Sequence, residues 1–340
     1  MRRALERGVR RWWAGEMGAA GAVLSAVTAP LEWVYAAEVR RRDLRYRSRP
    51  GARVEGLAVV SVGNLAVGGT GKTPMAAWAV RLLAEAGAHP VLLSRGYGED
   101  EILLHRRWSP DVPVHGGADR LAAAQTAREQ GADVAVLDDG FQHRRMARDV
   151  DVVLLAAEDA FPGRMLPRGP YREPPGALAR AHAVVVTRRT APATVAAGLA
   201  REILRRHPAL AVAVLSLPPG GWSTLAGEPA DAPQGAVLAA AGVARPETFC
   251  RQVAEATGYG VSDVELMAFP DHHGFTPADI RALRRRAGTR TLVVTEKDAV
   301  KLEAHASTLG SVRVLGVRLE WEAGEGEVRT LVAALAPREA

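Results

Sequence analysis

Residues 66–73 read Ala-Val-Gly-Gly-Thr-Gly-Lys-Thr, an order of residue types suited to holding phosphate. Gly68, Gly69 and Gly71 let the backbone approach an anion closely, and consecutive N–H groups at a helix start point at its oxygens. Lys72 is placed to reach the β and γ phosphates of a nucleotide, and the Thr73 hydroxyl to bind Mg²⁺. Ala66, Val67, Gly68, Gly69, Thr70, Gly71, Lys72 and Thr73 therefore form a candidate nucleotide-binding loop, with Ala66 where the usual pattern has its first glycine. A merely structural glycine-rich turn leaves the lysine unexplained, because only Lys72, Lys297 and Lys301 are lysines among 44 basic residues. A second stretch, Asp138-Asp139-Gly140, follows the apolar run 134–137. Acids at the end of a parallel strand lie where ligands bind, and can hold Mg²⁺ directly or through water.

Other groups are weaker in isolation. Asp100 and Glu101 follow Ser94-Arg95-Gly96-Tyr97-Gly98 almost at once, and taken alone they read as a solvated turn. Phe269-Pro270-Asp271-His272-His273 carries a histidine pair without the further ligands that a zinc site needs. His272 suits supplying or orienting a proton acceptor for a hydroxyl nucleophile, and a surface or capping role is the alternative. Arg168, Arg172 and Glu173 sit in a Pro/Gly-rich loop suited to phosphate binding or to a lid. Thr295-Glu296-Lys297-Asp298 closes another apolar run. Several of these groups fall at expected strand ends, on the face where the phosphate loop lies.

The elements that must position them follow from hydrophobic patterning. Short β-branched runs at 57–62, 91–94, 134–137, 152–155 and 184–187 read as buried strands. Helical stretches at 73–86, 119–130 and 194–206 lie between some of them. That alternation predicts an α/β fold, a P-loop NTPase-like, doubly wound, mostly parallel sheet. Residues 217–234 are rich in Pro and Gly and read as a boundary. Beyond it a second alternation has strands at 237–241, 264–269, 292–295 and 312–317 and helices at 246–256 and 277–286. The expected organisation is an N-terminal segment 1–50, a nucleotide-binding domain 51–217 and a smaller α/β domain 218–340.

Composition narrows the partners. The chain has 340 residues and a formal charge of +6, and all of that excess lies in residues 1–50, which hold 11 arginines against 5 acids. The remaining body is neutral, which argues against a nucleic-acid groove despite a pI of about 9.9. At 48% hydrophobic and 24% charged the chain is neither disordered nor fibrous. One cysteine, Cys250, excludes an internal disulfide and a Cys-based zinc site, and suggests a reducing compartment. In the first fifty residues, arginines and the pair Trp12-Trp13 precede an uncharged run at 17–31, followed by Trp33, Tyr35 and Arg40-Arg41-Arg42. That run is shorter than the roughly 20 residues a spanning helix needs, and Gly18, Gly21 and Pro30 weaken it further. Aromatic residues flanked by arginines suit a helix lying at a membrane surface. Docking on the protein's own core is the alternative.

The order of motifs resembles a known family. Residues 61–74, from Ser61-Val62-Gly63-Asn64 through the phosphate loop to Pro74, look like the signature of the tetraacyldisaccharide 4'-kinases, the lipid A 4'-kinases of Gram-negative bacteria. Residues 94–98, 137–144, 168–173, 269–272 and 295–302 match further motifs of that family in order, over nearly the whole chain. The resemblance implies ATP- and Mg²⁺-dependent phosphorylation of the 4'-hydroxyl of a tetraacylated glucosamine disaccharide 1-phosphate, in two α/β domains facing a cleft. It implies an enzyme on the cytoplasmic face of the bacterial inner membrane, engaging the lipid surface through its N-terminal helix, with no nucleic acid and no obligate protein partner. Lys72 and Thr73 take the phosphate-loop roles and Asp138 the Walker-B-like role, with Glu173 a further candidate for Mg²⁺. Glu101, Asp139, His143 and Arg172 fall on active-site motifs, and the family's aspartate–histidine catalytic pair carries over to Asp100 and His272. Family members place a longer segment before the acidic motif; here Gly98-Glu99-Asp100-Glu101 follows almost directly. A slip of one residue would make Glu99 or Glu101 the relevant acid.

Two other classes share the loop. A nucleotide-switched binding protein or metallochaperone needs neither an acceptor hydroxyl nor His272. An inactive membrane-bound module is the other, prompted by Ala66 and the short segment before Asp100.

Overall fold

A computed structural model of the protein describes residues 2–96 and 98–337, with backbone alone at 2–4, 6 and 7. Tyr97 of the Ser94–Gly98 motif, and the side chains of Arg2, Arg3 and Arg7, lie outside the described residues. The chain divides into two compact units. The first comprises Met1–Gly96, Asp111–Leu215 and Trp321–Ala340, and the second Tyr97–Pro110 and Ser216–Glu320.

The chain begins with helices α1 (Arg2–Trp13) and α2 (Gly18–Ser48). α2 runs unbroken through Pro30, although a proline inside a helix removes one backbone hydrogen bond. It is long and apolar enough to cross a membrane by length and composition, with a mean hydropathy of 1.2 over its most apolar stretch. Val23, Val27, Leu31, Trp33 and Val34 on it are exposed, whereas Tyr35, Ala36 and Val39 pack on the core of the first unit. Exposed apolar and core-docked side chains thus coexist on one helix.

Next come β1 (Ala58–Asn64), α3 (Lys72–Glu85), β2 (Pro90–Ser94) and α4 (Glu99–Trp108). β3 (Val114–Gly116), α5 (Arg120–Glu129), β4 (Val134–Asp138), β5 (Val150–Ala156), β6 (Ala183–Arg188), α6 (Ala193–Arg206) and β7 (Ala211–Ser216) follow. β4 and β5 are buried along their whole length, as strands covered on both faces must be. β1 lies between β4 and β5, parallel to both, and Val62 pairs in register with Asp138. The crossover out of β1 passes over β4 to reach β2, so the order reverses at β1, the position where open α/β sheets bind ligands.

The second unit contains β8 (Pro219–Ser223), β9 (Val237–Ala241), α7 (Pro246–Thr257), β10 (Glu265–Ala268), α8 (Pro277–Ala287), β11 (Thr291–Thr295), α9 (Glu296–Leu302), α10 (Ala306–Leu309) and β12 (Val312–Val317). Its sheet order is β10-β9-β11-β12-β8, with only β8 antiparallel to its neighbour. Period-two alternation builds two cores on this sheet: Leu238 and Ala240 face one, Val237, Ala239 and Ala241 the other. Cys250 is a free thiol buried in the second of these cores.

The chain ends with β13 (Glu320–Ala323) and α11 (Glu325–Ala333). The division departs from a single cut after residue 217 in two places. α4 belongs to the second unit, where the Trp108 indole N–H donates to Glu296 Oε1 at 2.9 Å and Arg107 pairs with Glu303. β13 joins the edge of the first sheet beside β7, and Trp321 packs on Trp78 of α3 with ring centroids 5.1 Å apart.

Candidate active site

In the first unit the loop between β1 and α3 is held at many points. Gly71 precedes α3 with φ +89°, a conformation that favours glycine, and Lys72 and Thr73 open the helix. Asn64 Nδ2 donates to Thr70 Oγ1 at 3.0 Å, Thr187 Oγ1 to the Thr70 carbonyl at 2.9 Å, and Arg189 Nη1 to the Gly69 carbonyl at 2.7 Å. Glu158 anchors Arg189 in turn by accepting three successive backbone N–H groups, and these outweigh the effect of burial and lower its pKa. Ala66 does not share the positive φ of Gly68 and Gly71, so a methyl group fits where the usual pattern has glycine. Its side chain is buried with Leu65, Phe141 and Tyr171.

The Pro/Gly-rich loop is stitched to the phosphate loop. The Val67 N–H donates to the Pro170 carbonyl at 2.8 Å and the Arg172 N–H to the Leu65 carbonyl at 2.7 Å. Asp139, just past β4, gathers the charges: Lys72 Nζ is 3.6 Å from Oδ1 and Arg172 Nη1 is 3.0 Å from Oδ2. Burial alone would raise the Asp139 pKa, and Lys72, Arg172 and Arg120 together bring it below the ordinary value. Arg120, a buried residue that the sequence patterns did not single out, donates to the Asp139 carbonyl at 3.1 Å. Asp138 is buried at the end of β4.

Glu173 has both carboxylate oxygens engaged, Oε1 by Gln142 Nε2 at 3.1 Å and Oε2 by Arg180 Nη2 at 2.9 Å. Its carboxylate ties Gln142 and Arg180 together, with one hydrogen bond on each oxygen. Thr73 and Asp138 are hard oxygen donors of the kind Mg²⁺ prefers, from the helix start and the strand end that P-loop enzymes use. His143 is neutral, its pKa lowered to about 4 by burial and by Arg120, Arg145 and Arg148, and its buried Nε2 has no partner among the described residues.

α2 reaches this same loop. Glu32 accepts from the Met165 N–H at 2.8 Å and from Arg168 Nη1 at 2.9 Å, so Arg168 is paired with the helix. Asp43 takes Arg144 at 2.7 Å, and Tyr35 donates to the Arg172 carbonyl at 3.1 Å.

The second unit assembles a different cluster. Asp100 is the second residue of α4 and 2% exposed, which corrects its reading as part of a solvated turn. His272 Nδ1 lies 3.0 Å from Asp100 Oδ1. Gly98 makes the approach possible: its φ is +100°, and a methyl group there would meet Asp100 Oδ1 at 2.5 Å and His272 Nδ1 at 2.7 Å. Burial would raise the Asp100 pKa, and the His272 hydrogen bond with Lys297 and Lys301 instead brings it to about 2. The same hydrogen bond raises that of His272, against burial and Lys297. Of the alternative acids, Glu99 is exposed, and Glu101 pairs with Lys297 at 3.3 Å. Lys301 spans Asp100 Oδ2 at 3.3 Å and Asp298 Oδ1 at 3.0 Å. The second histidine caps instead: His273 Nε2 is 3.0 Å from Asp279, which closes the capping box of α8.

Asp139 and His272 are the two non-glycine residues with positive φ among the described residues, at +54° and +56°. Backbone strain of this kind persists where surrounding contacts over-determine it, commonly at functional sites. Sequence reasoning left Lys297 and Lys301 without a role. Their spacing of four residues within TEKDAVKL was the available signal, since it puts both on one face of a helix.

The family model described as tetraacyldisaccharide-1-P 4'-kinase matches residues 24–101 and 98–336. The two stretches meet where the segment before Asp100 is short. The tetraacyldisaccharide 4'-kinase of Anaeromyxobacter dehalogenans is 39% identical over 358 residues, covering 96% of this chain and 93% of the relative. That of Halorhodospira halophila is 38% identical over 298 residues, covering 80% and 82%. Among solved structures, the "apo" form of LpxK from Aquifex aeolicus in complex with ATP superposes with a TM-score of 0.70 at 26% identity, covering 92% of this chain and 99% of that one.

Proposed function

The chain belongs to the tetraacyldisaccharide-1-P 4'-kinase family, and from that membership we propose how its own residues divide the work. The enzyme is an ATP-dependent lipid kinase of lipid A biosynthesis that phosphorylates the 4'-hydroxyl of a tetraacylated glucosamine disaccharide 1-phosphate. The observation that carries the reading is the cradle at the start of α3, where Gly71 in a left-handed conformation leads into Lys72 and the lysine rests on Asp139.

In this assignment residues 66–71 surround the phosphates with backbone N–H groups, and Lys72 turns from Asp139 to the β and γ phosphates when nucleotide arrives. Asp139 holds Lys72 and Arg172 in place until then, and Arg172 meets the growing negative charge on the transferring group. Thr73 and Asp138 hold Mg²⁺, which when bound neutralises phosphate charge. Glu173 acts through Gln142 and Arg180. His143 is neutral, and its buried ring nitrogen meets a ligand only when the loop around it opens.

In the second unit His272 takes the proton of the 4'-hydroxyl. Its side chain is 23% exposed whereas that of Asp100 is 1% exposed, so the imidazole is the group within reach of an acceptor. The O–H bond breaks as the new O–P bond forms; the β–γ bridging bond breaks and ADP leaves. Asp100 carries the compensating charge beside the imidazolium, the division of labour of a base with its orienting carboxylate. The exposed apolar side chains of α2 and the arginines around it support attachment to an anionic lipid surface, at the cytoplasmic face of the inner membrane where ATP is supplied.

The test is an assay of the folded, detergent-supported protein with ATP, Mg²⁺ and the acylated disaccharide 1-phosphate. Phosphate appearing on the 4'-oxygen, and disappearing with Lys72→Ala, is expected; wild-type protein that yields no product would sink the reading.

A further inference from the structure

Lys297 and Lys301 lie on one face of α9, and neither has a part in the steps assigned so far. Lys301 is accounted for by its neighbours, since its ammonium sits between the buried carboxylates of Asp100 and Asp298. Asp298 is fixed in turn, accepting the Gly242 N–H at 2.9 Å, and the Gly242 carbonyl accepts the His272 N–H at 3.2 Å. Lys297 is placed differently. Its Nζ lies 3.2 Å from His272 Nε2 and 3.3 Å from Glu101 Oε1.

An ammonium group has three donors and no acceptor. Its contact with His272 Nε2 is therefore a hydrogen bond only while that nitrogen carries a lone pair. Across the ring, the Asp100 carboxylate at 3.0 Å accepts a hydrogen bond from Nδ1–H. The two neighbours select the same one of the two neutral tautomers.

We propose that Lys297 is a positioning residue for phosphoryl transfer, fixing the neutral ring of His272 with its proton on Nδ1 and its lone pair on Nε2. The nitrogen left basic is then the one turned away from Asp100; Lys297 holds its single lone pair until the acceptor hydroxyl arrives, and has to withdraw onto Glu101 before Nε2 can take the proton. The proposal rests on His272 as the proton acceptor.

The charged groups around the ring set the direction of the effect. Asp100 and Glu101 approach from α4, Lys297, Lys301 and Asp298 from α9, and Asp271 precedes it in the chain. Asp100 and Asp271 favour a charged ring and Lys297 opposes it. Glu101 Oε1, 3.9 Å from Nε2, would also favour a proton there, and Lys297 occupies it. Loss of Lys297 thus removes a cation and releases an anion, and both changes raise the titration midpoint of His272. A lysine that only supported the fold would change neither the midpoint nor the tautomer.

The test uses the full chain with ¹⁵N-labelled histidine, following ring nitrogens by NMR against pH and assigning His272 from the spectrum of His272→Gln. Above its midpoint, wild-type His272 should show a protonated Nδ1 and a bare Nε2. Lys297→Met should raise the midpoint by about one unit and blur the tautomer preference, as expected for exchanging one nearby charge for another. Lys297→Arg should restore both, and adding Glu101→Gln to Lys297→Met should bring the midpoint back down. Glu101→Gln alone should lower it, so the test does not hang on Lys297→Met folding. The acid limb of kcat/KM against pH should follow the same order, with KM for ATP unchanged. A wild-type ring protonated on Nε2, or a midpoint unmoved by Lys297→Met and by Glu101→Gln, would overturn the proposal. Spectra as expected together with a fully active His272→Ala would leave the tautomer lock standing and remove His272 as the base.

Discussion

The hydroxyl of Tyr35, halfway along α2, donates to the backbone carbonyl of Arg172 at 3.1 Å. This bond joins the long N-terminal helix to the residue whose guanidinium holds Asp139 beside the phosphate loop. Glu32 adds two more bonds to the same loop, to the Met165 N–H and to Arg168. The sequence presents residues 1–50 as a separable basic arm. The structure ties the second half of that arm to the rest of the first unit.

Removing residues 1–36 should therefore release the protein from anionic vesicles and also lower turnover, because Glu32 and Tyr35 go with it. The two effects separate by substitution. Val27→Asp with Leu31→Asp, both on exposed positions, should abolish vesicle binding and leave kcat on a detergent-dispersed substrate within about twofold, as surface changes away from contacts usually do. Glu32→Gln should keep vesicle binding and destabilise the loop by about 2 kcal/mol, the usual worth of hydrogen bonds to a charged group. Co-sedimentation and steady-state kinetics on the three proteins distinguish these outcomes. Equal vesicle binding by the double variant contradicts the assignment of the exposed face.

A methyl group at Gly98 should damage catalysis without touching nucleotide binding. It would press on both Asp100 Oδ1 and His272 Nδ1, and alanine is strained at φ +100°. Gly98→Ala is expected to reduce kcat at least about tenfold, as misplacement of reacting groups commonly does. Its ATP affinity, read by calorimetry, should stay at the wild-type value; loss of ATP affinity with kcat retained would contradict the role given to this contact.

Acid stability should report the Asp100 carboxylate. Its folded pKa of about 2 lies below the ordinary 3.8, so its stabilisation is present above pH 3.8 and lost as pH falls towards 2. The difference corresponds to about 2 kcal/mol in the neutral range. Asp100→Asn should therefore lower stability at pH 7 by roughly that amount, and by much less near pH 2.5, in urea titrations. His272 contributes with the opposite sign: its raised pKa stabilises the fold below 6.5 and the contribution is lost as pH rises through the folded value. A stability loss in Asp100→Asn that does not shrink on acidification would show that Asp100 is not held as a buried anion.

The parts of this structure that were legible in the sequence share a physical reason. The apolar runs around Val59, Val136, Val153 and Val185 are buried on both faces of a parallel sheet, and a strand so covered needs an unbroken hydrophobic stretch. The phosphate loop is legible because its conformation demands particular residues at particular places. α4 was hidden because Glu99, Asp100 and Glu101 look like a solvated turn. Acids in a first helical turn are also what the helix dipole favours, and that signal was present. β8 lay inside a Pro/Gly-rich stretch, which suits an antiparallel edge strand as well as a linker. The return of Trp321 to Trp78, and the bonds from Glu32 and Tyr35 to residues 165–172, depend on tertiary placement that no local pattern encodes.

His272→Ala decides between a kinase and a nucleotide-switched binding protein. ATP affinity and transfer of phosphate to the acylated disaccharide 1-phosphate are measured on the same preparation, beside wild-type and Lys72→Ala. The expected result is unchanged ATP affinity with transfer reduced at least about a hundredfold, the scale of a lost general base, while Lys72→Ala also abolishes transfer. Transfer at the wild-type rate by His272→Ala, or none by the folded wild-type enzyme, would contradict it.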